Sequence, residues 1–239
     1  MQVKTEGIVL RHVQCGDKEY IVHFYTAELG KISFLTKGNS RRSAMRSVLM
    51  QPFSIVELVA DNQPSKRLHF LKETKCITPF SSIPYNPNKS LVAIFLSELL
   101  SLVLREPHSD KELFQFIKQS VIIFDELEEG TANFHLVFLI KLTYYLGFFP
   151  NLSHFHQDAF FDLSNSIFCD TQPDANYLIP EETEVFAHLM RMEYDNMYLF
   201  KFSRTQRMEV LNHILCYYRL HLPDFGDLKS LKIVSELFD

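Results

Sequence analysis

An α+β chain of two domains, a small five-stranded barrel followed by an all-α helical domain, is predicted by three observations. Five short segments rich in β-branched and aromatic residues crowd into the first 80 residues. Pro79, Pro84 and Pro87 then punctuate the chain and mark a change of regime. Beyond them the apolar residues recur with the 3.6-residue period of helices. The boundary is expected at residues 80/81, with an irregular insert at about 149–178 in the second domain.

The strands are expected at Val3 to Leu10, Tyr20 to Tyr25, Lys31 to Thr36, Phe53 to Val59 and Leu68 to Cys76. Gly16-Asp17, Leu29-Gly30 and Asp61-Asn62-Gln63-Pro64 supply turns between them. So few strands cannot build a large sandwich, and closing them into a barrel removes exposed edges. The longest interruption, Lys37 to Pro52, falls between the third and fourth strands. An OB-type barrel usually carries its extra helix or loop there.

In the second domain Leu91, Ile94, Phe95, Glu98, Leu99 and Leu102 form a helical stripe interrupted by one glutamate. Ser109-x-x-Glu112 reads as a capping box that opens a helix towards Leu127. The next helix runs from about Ala132 to Phe148, stopped by Gly147 and Pro150. Pro180 with Glu181 and Glu182 suits the first turn of a helix through Met192. Ser203-x-x-Gln206 caps another to His221, and a last helix is expected between Asp227 and Phe238. Phe149 to Leu178 has no clear period and is read as an irregular insert or a short hairpin. The acidic run Asp125-Glu126-Leu127-Glu128-Glu129 reads as a solvated helix end.

With 46% hydrophobic and 22% charged residues the chain can bury a substantial core. No run approaches about 18 uninterrupted apolar residues, so no membrane span is expected. The N-terminus meets Glu6 and Gly7 before any apolar run, unlike a secretory leader, so a cytoplasmic location is expected. Cys15, Cys76, Cys169 and Cys216 form no C-x-x-C pair, which gives neither a disulfide framework nor a four-thiolate metal site. The net charge of -5 hides a division: residues 1–80 hold 12 lysines and arginines against 7 acids, residues 81–239 hold 12 against 22. The first segment is therefore suited to a polyanion, the second to solvent or proteins.

Lys37, Arg41, Arg42 and Arg46 form the sharpest basic cluster, beside Gly38, Asn39, Ser40 and Ser43 in the loop after the third strand. Flexible cationic loops suit phosphates, because each neutralised phosphate releases counterions whatever the base sequence. A cationic loop can equally be only solvated. Arg11 and Lys31 are supporting candidates. Tyr20, Phe24, Tyr25 and Phe34 could stack bases, although a small barrel must fill its interior with such residues. Tyr20 and Tyr25 are the better outward candidates, since a hydroxyl tolerates water. Lys201, Arg204 and Arg207, interleaved with Phe200 and Phe202, offer cations beside apolar surface, which would suit an acidic tail ending in an aromatic residue. The plainer alternative is an ordinary basic helical turn.

Catalytic motifs are missing: there is no G-x-x-x-x-G-K-[ST], G-x-G-x-x-G, H-E-x-x-H or G-x-S-x-G, and seven glycines leave little material for phosphate-cradling loops. No catalytic residue, cofactor or metal ligand is assigned, and the chain is read as non-enzymatic.

One ordered series of segments is specific. It comprises Thr5-Glu6-Gly7-Ile8-Val9-Leu10, Gly16-Asp17-Lys18-Glu19-Tyr20-Ile21-Val22, Thr26-x-x-Leu29-Gly30-Lys31-Ile32-Ser33, Lys37-Gly38 with Arg41-Arg42, and Leu49-Met50-Gln51-Pro52-Phe53. At the far end stand Tyr217-Tyr218-Arg219-Leu220-His221-Leu222-Pro223 and Leu228-Lys229-Ser230-Leu231. The series resembles the RecO family of recombination mediators. The resemblance implies an OB domain and a helical domain, binding to single- and double-stranded DNA, strand annealing, and recombinase loading with RecR, and often RecF, on DNA coated by single-strand binding protein. It implies recognition of that protein's acidic C-terminal tail and a cytoplasmic, nucleoid-associated protein of the RecFOR pathway. Lys37 and Arg41 match regularly basic family positions. The alternative is a protein adaptor with little DNA binding of its own. One departure concerns metal: many relatives carry a four-cysteine zinc knuckle where this chain has Asn151 to Thr171 with only Cys169. His154 and His156, with Asp158 or Asp162, leave a Cys-His site or a metal-dependent enzyme as open alternatives.

Overall fold

The computed structural model describes residues 2–15, 19–37, 49–61, 69–104 and 109–235. Five strands, β1 (Gln2–Gln14), β2 (Glu19–Thr26), β3 (Gly30–Lys37), β4 (Ile55–Asp61) and β5 (His69–Thr78), come first. They close in the order β1-β2-β3-β5-β4. All pairings are antiparallel except β3 with β5, a short parallel seam of two registered pairs, Phe34 with His69 and Leu35 with Phe70. The long β1 serves two neighbours. Gln2 to Ile8 pair with β4, Gly7 to Gln14 pair with β2, and a register shift between Val9 and Arg11 bends the strand. The OB-type expectation is met in strand number and order.

Val9, Val22, Phe24, Ile32, Phe34, Met50, Val56, Leu58 and Ala60 fill the barrel. Strand alternation puts every second residue inside, and the interior has no room to spare. At Gly7 a Cβ would lie 2.8 Å from Leu58 Cδ2 and 3.3 Å from Phe24 Cδ1, so any side chain there would have to displace Leu58. The fourth strand begins later than its sequence pattern predicts. Phe53 is fully buried but adopts φ 70, a left-handed conformation that cannot continue a strand, and its N–H donates to Val9 O at 2.8 Å.

The helices are α1 (Pro87–Val103), α2 (Lys111–Glu126), α3 (Phe134–Leu146), α4 (Pro180–Met190), α5 (Arg204–His221) and the short α6 (Leu231–Ser235). None is long and apolar enough to cross a membrane among the described residues. Asn86 caps α1, accepting from the amides of Asn88 and Lys89, with Pro87 in the first turn. The cap of α2 is Asp110 rather than Ser109: Asp110 Oδ1 accepts from Leu113 N at 2.9 Å. Both residues are cap formers, and the helix starts one position later than the capping-box spacing implies. Ser203 and Gln206 form the expected reciprocal box on α5.

The chain divides into two compact units. The first comprises Met1–Glu126 and Leu228–Val234, so it holds the barrel, α1, α2 and a returning segment from the far end. Asp125 belongs to its interior, which corrects the expectation of a solvated helix end. Its side chain is 7% exposed and accepts from the amides of Ser81 (2.7 Å), Ser82 (2.9 Å) and Ile83 (2.7 Å). Lys89, also buried, donates to the Asp125 carbonyl at 2.9 Å. Burial alone would raise the Asp125 pKa, but the three amides hold it below the usual carboxylate range. Glu98, the glutamate that interrupts the apolar stripe, accepts from Lys229 N (3.0 Å) and Ser230 N (2.8 Å) and so holds the returning segment.

The second unit comprises Leu127–Asp227 with Ser235–Asp239. Its central helix α3 is buried on all sides from Phe134 to Ile140, as that nearly all-apolar stretch requires. The insert resolves into a hairpin, β6 (Phe160–Asp162) and β7 (Ile167–Cys169), joined by β8 (Tyr177–Leu178). Strands of two or three residues are too short to show a period, which is why the sequence left this stretch open between a hairpin and irregular structure. Asp162 shapes the hairpin turn by accepting from Ser164 N (2.8 Å) and Asn165 N (3.0 Å).

Candidate nucleic-acid interface

The pairing registers sort the barrel's outer surface into rows. Since Val22 and Phe24 face the core, Ile21, His23 and Tyr25 face outward. The register then aligns Ile8, Tyr25 and Lys31 in one row, Arg11, His23 and Ser33 in the next, and Val13, Ile21, Leu35 and Phe70 in a third. Only part of this face is open.

The first row is covered by helices of the same unit. Tyr25 is 1% exposed, its ring lies 6.0 Å from that of Phe114, and its hydroxyl donates to Asp110 O at 3.4 Å. Burial pushes its pKa up to about 12. This corrects the expectation that Tyr25 is an outward stacking residue: its ring is packed under α2 and its hydroxyl is satisfied there. Lys31 Nζ donates to Ser101 O (2.8 Å) and Leu104 O (3.3 Å), at the carbonyl-rich end of α1. Its charge complements the helix dipole, a role that the sequence could not separate from phosphate binding.

The second and third rows are more open. Arg11 is exposed, and His23 Nδ1 lies 2.8 Å from Ser33 Oγ. Tyr20 is half-buried and registers with Gln14 and Thr36, in a row of inward parity at the barrel mouth, where its ring meets the edge of His12 at 6.4 Å. Lys37 ends β3 in register with Glu19. The Lys37 side chain, Arg41, Arg42 and Arg46 lie outside the described residues. The third row was missed by sequence reasoning, because Phe70 and Leu35 are adjacent only through the parallel seam.

In the second unit Lys201 and Arg204 are exposed, and Phe202 is half-buried. Arg207 is 9% exposed, which corrects its placement beside them as a surface cation. It donates through one Nη to Phe202 O (2.9 Å) and through Nε to Asn133 Oδ1 (3.4 Å). Asn133 in turn donates to Met197 O (3.0 Å) and Phe200 O (2.7 Å). Arg207 and Asn133 thus clamp the segment that presents Tyr198 and Leu199, 47% and 64% exposed, next in sequence to Lys201. Those two residues were also missed, although the apolar run Met197 to Phe200 was a usable signal.

The insert's donors do not fit zinc. His156 has Nδ1 2.7 Å from Gln157 O and Nε2 2.7 Å from Asp170 Oδ1. Both ring nitrogens face acceptors, and these bonds, Gln157's first, raise its pKa and favour the protonated ring, which has no lone pair for a metal. Burial, then Asp162 and Asp170, push the Cys169 thiol up, away from the thiolate that zinc requires. Among the described residues no three His, Cys, Asp or Glu gather as a metal group.

A serine and a histidine do meet, but not as nucleophile and base. His221 Nε2 is 2.9 Å from Leu163 O and 3.2 Å from Ser166 Oγ, so that nitrogen carries the proton and donates. Tyr217 donates to Phe148 O at 2.5 Å, leaving Ser166 to donate to the Tyr217 hydroxyl at 2.6 Å. The Tyr217 and His221 protons point towards carbonyls and the Ser166 proton towards the Tyr217 hydroxyl, which ties the hairpin to α5. Tyr218, fully buried, donates to Leu139 O at 2.7 Å.

The comparisons with known proteins agree at both ends. The family described as Recombination protein O N terminal matches residues 1–80, and Recombination protein O C terminal matches residues 84–232. The chain belongs to the RecO family. It is 43% identical to the DNA repair protein RecO of Bacteroides fragilis over 242 residues, with both chains covered completely. The RecO of Phocaeicola vulgatus is 43% identical over 240 residues and that of Flavobacterium psychrophilum 32% over 240, again with complete coverage. Seen with the RecO sequence signature, Tyr217, Tyr218 and His221 are packing and hydrogen-bonding residues of the helical unit rather than reactive groups.

Proposed function

We propose that the chain is a non-enzymatic recombination mediator of bacterial DNA repair. Its barrel domain, residues 1–80, grips the phosphate backbone of single- and double-stranded DNA. The helical domain, residues 81–239, docks RecR and the acidic tail of single-strand binding protein, and RecF joins in recombinase loading. The observation that carries the reading is full-length identity of 43% to a DNA repair protein, on a chain whose first 80 residues hold the cationic surplus. Annealing follows from electrostatics: two polyanions approach at lower cost on a cationic surface, without ATP. In this reading Lys37, Arg41, Arg42 and Arg46 contact phosphates, joined by the exposed Arg11. Lys201 and Arg204 meet the acidic tail beside Phe202, Tyr198 and Leu199. A cytoplasmic protein associated with the nucleoid is the matching location.

The test is the Lys37→Ala, Arg41→Ala, Arg42→Ala triple variant, titrated with labelled single strand at several salt concentrations. A loss of affinity with a salt slope shallower by roughly 2–3 is expected, about one for each phosphate contact removed. Unchanged affinity and slope remove this surface from the mechanism. If the unaltered chain also binds poorly, the protein is an adaptor acting through RecR, a reading favoured by the occupation of Lys31 at the end of α1.

A further inference from the structure

We infer that the outer face of the small sheet β6-β7-β8 docks a basic, aliphatic segment of another protein, an extended stretch in which lysine or arginine alternates with apolar residues. This face lies outside the reading above, since its charge is opposite to one that would hold an acidic tail. The registers Phe160 with Cys169, Asp162 with Ile167 and Asp162 with Tyr177 put those five side chains on one side of the sheet. Phe161, Phe168 and Leu178 occupy the other side and are buried, with the Phe161 ring 5.2 Å from that of Phe186 and 6.2 Å from that of Tyr217. A sheet with one covered face ordinarily alternates apolar residues inside with polar residues outside. Here the alternation fails, because the outer side also carries Phe160, Ile167, Cys169 and Tyr177, and Ile179 extends the Tyr177 parity one step past β8. Ile167 and Ile179 are 42% and 44% exposed, and Phe160, Cys169 and Tyr177 are half-buried beside them. Asp162, the polar member, is turned towards the amides of Ser164 and Asn165. Scattered apolar residues on a surface need no explanation, but a cluster on one sheet face marks an interaction site.

Charge identifies the occupant. From Leu142 to Met190 the chain carries four aspartates and three glutamates and neither lysine nor arginine. Asp170 directly follows β7, Asp174 lies in the connection to β8, and Glu181 and Glu184 stand at the start of α4 just beyond Ile179; all four are exposed. His156 meets Asp170 at 2.7 Å, whereas Asp174, Glu181 and Glu184 have no cation against them among the described residues. Arg191, the next cation along the chain, is already placed over the Phe155 ring, 5.1 Å from its centre. A nucleic-acid strand or an acidic tail would be repelled here, and a neutral apolar partner would desolvate the carboxylates without supplying a counter-charge. Lysine and arginine supply both parts, since the alkyl stem lies along apolar surface while the charged head reaches the carboxylates. Alternation with aliphatic residues gives the segment the two-residue period of the sheet it lies on. β7 and β8 are the outer strands of that sheet, so an extended segment also finds a backbone edge to pair with.

The probe is a short labelled peptide in which lysine alternates with valine, titrated with the full chain at low and moderate salt and followed by fluorescence anisotropy. Ile167→Ser with Ile179→Ser is expected to weaken binding roughly 5- to 50-fold, the range for losing contact with two part-exposed aliphatic side chains. Ile167→Val with Ile179→Val keeps the apolar surface and is expected to stay within about 3-fold of the unaltered chain. Asp174→Asn, Glu181→Gln and Glu184→Gln together are expected to weaken binding roughly 3- to 30-fold at low salt, a loss that shrinks as salt screens the charges. A companion peptide with serine in place of valine is expected to be indifferent to the isoleucine changes, and one with glutamate in place of lysine is expected not to bind. Amide hydrogen exchange with the lysine–valine peptide bound is expected to show protection confined to residues 158–184. Binding that ignores Ile167→Ser with Ile179→Ser, equal binding of the glutamate peptide, protection elsewhere in the chain, or no binding by the unaltered chain overturns the docking face. None of these outcomes touches the phosphate grip of the barrel, which stands or falls on its own titrations with DNA.

Discussion

Replacing Asp125 by alanine leaves the amides of Ser81, Ser82 and Ile83 without the acceptor that now receives them at 2.7, 2.9 and 2.7 Å. Ser81 is exposed and water can take its amide, whereas Ile83 is 3% exposed and its amide has no such substitute. A buried backbone donor without a partner costs about 1–3 kcal/mol, so the two less accessible amides together set a loss of about 3–4 kcal/mol. That is a large fraction of the stability of a typical domain. Urea unfolding followed by far-ultraviolet circular dichroism measures it, with the slope against urea serving as a check on the unfolded reference. The pH dependence adds a second reading. Asp125 has its folded pKa held below the ordinary value, so its contribution is complete above the ordinary carboxylate range and fades as the pH falls through the folded value. The variant and the unaltered protein should therefore differ most at neutral pH and converge in acid. A loss below about 1 kcal/mol, or a difference that persists undiminished on acidification, refutes the reasoning.

Two further outcomes follow from the second unit. Gly130→Ala should lower stability by about 1–3 kcal/mol in thermal unfolding, since a Cβ at φ 72 would stand 3.1 Å from Tyr198 N, whereas Gly147→Ala, at φ 85 with nothing within 4 Å, should cost only about 1 kcal/mol. Tyr217→Phe should lose about 1–3 kcal/mol in denaturant titration, because Phe148 O and Ser166 both lose their shared hydroxyl, while DNA affinity should stay unchanged.

The strands were legible because alternation and turn residues are local signals, and all five strands of the barrel follow from them. The helices with apolar stripes and caps, α1, α4 and α5, were legible for the same reason. What escaped was decided across long separations. The Asp125 carboxylate meets amides more than 40 residues earlier, so its acidic neighbours made it look solvated. Tyr25 alternates correctly as an outward residue, but α2 covers that part of the outer face, and no pattern within β2 announces the cover. Lys31 was recognised as a cation but not as the partner of a helix end some 70 residues away. Arg207 sits next to an N-cap where a solvated base is ordinary, and only Asn133 reveals its clamp. Of the candidate DNA surface, the exposed Arg11 could be read from sequence. The apolar row beside it required the β3–β5 register.

The returning segment Leu228–Val234 has a consequence for biosynthesis. Glu98 receives its partner amide from Ser230 across 132 positions, so a ribosome releases the barrel and its first helices long before their last binding partner is made. The nascent first unit must wait with that carboxylate hydrated while the whole of residues 127–227 is translated. A ribosome-stalled chain ending before residue 228 would thus carry a barrel whose helical flank still lacks this segment.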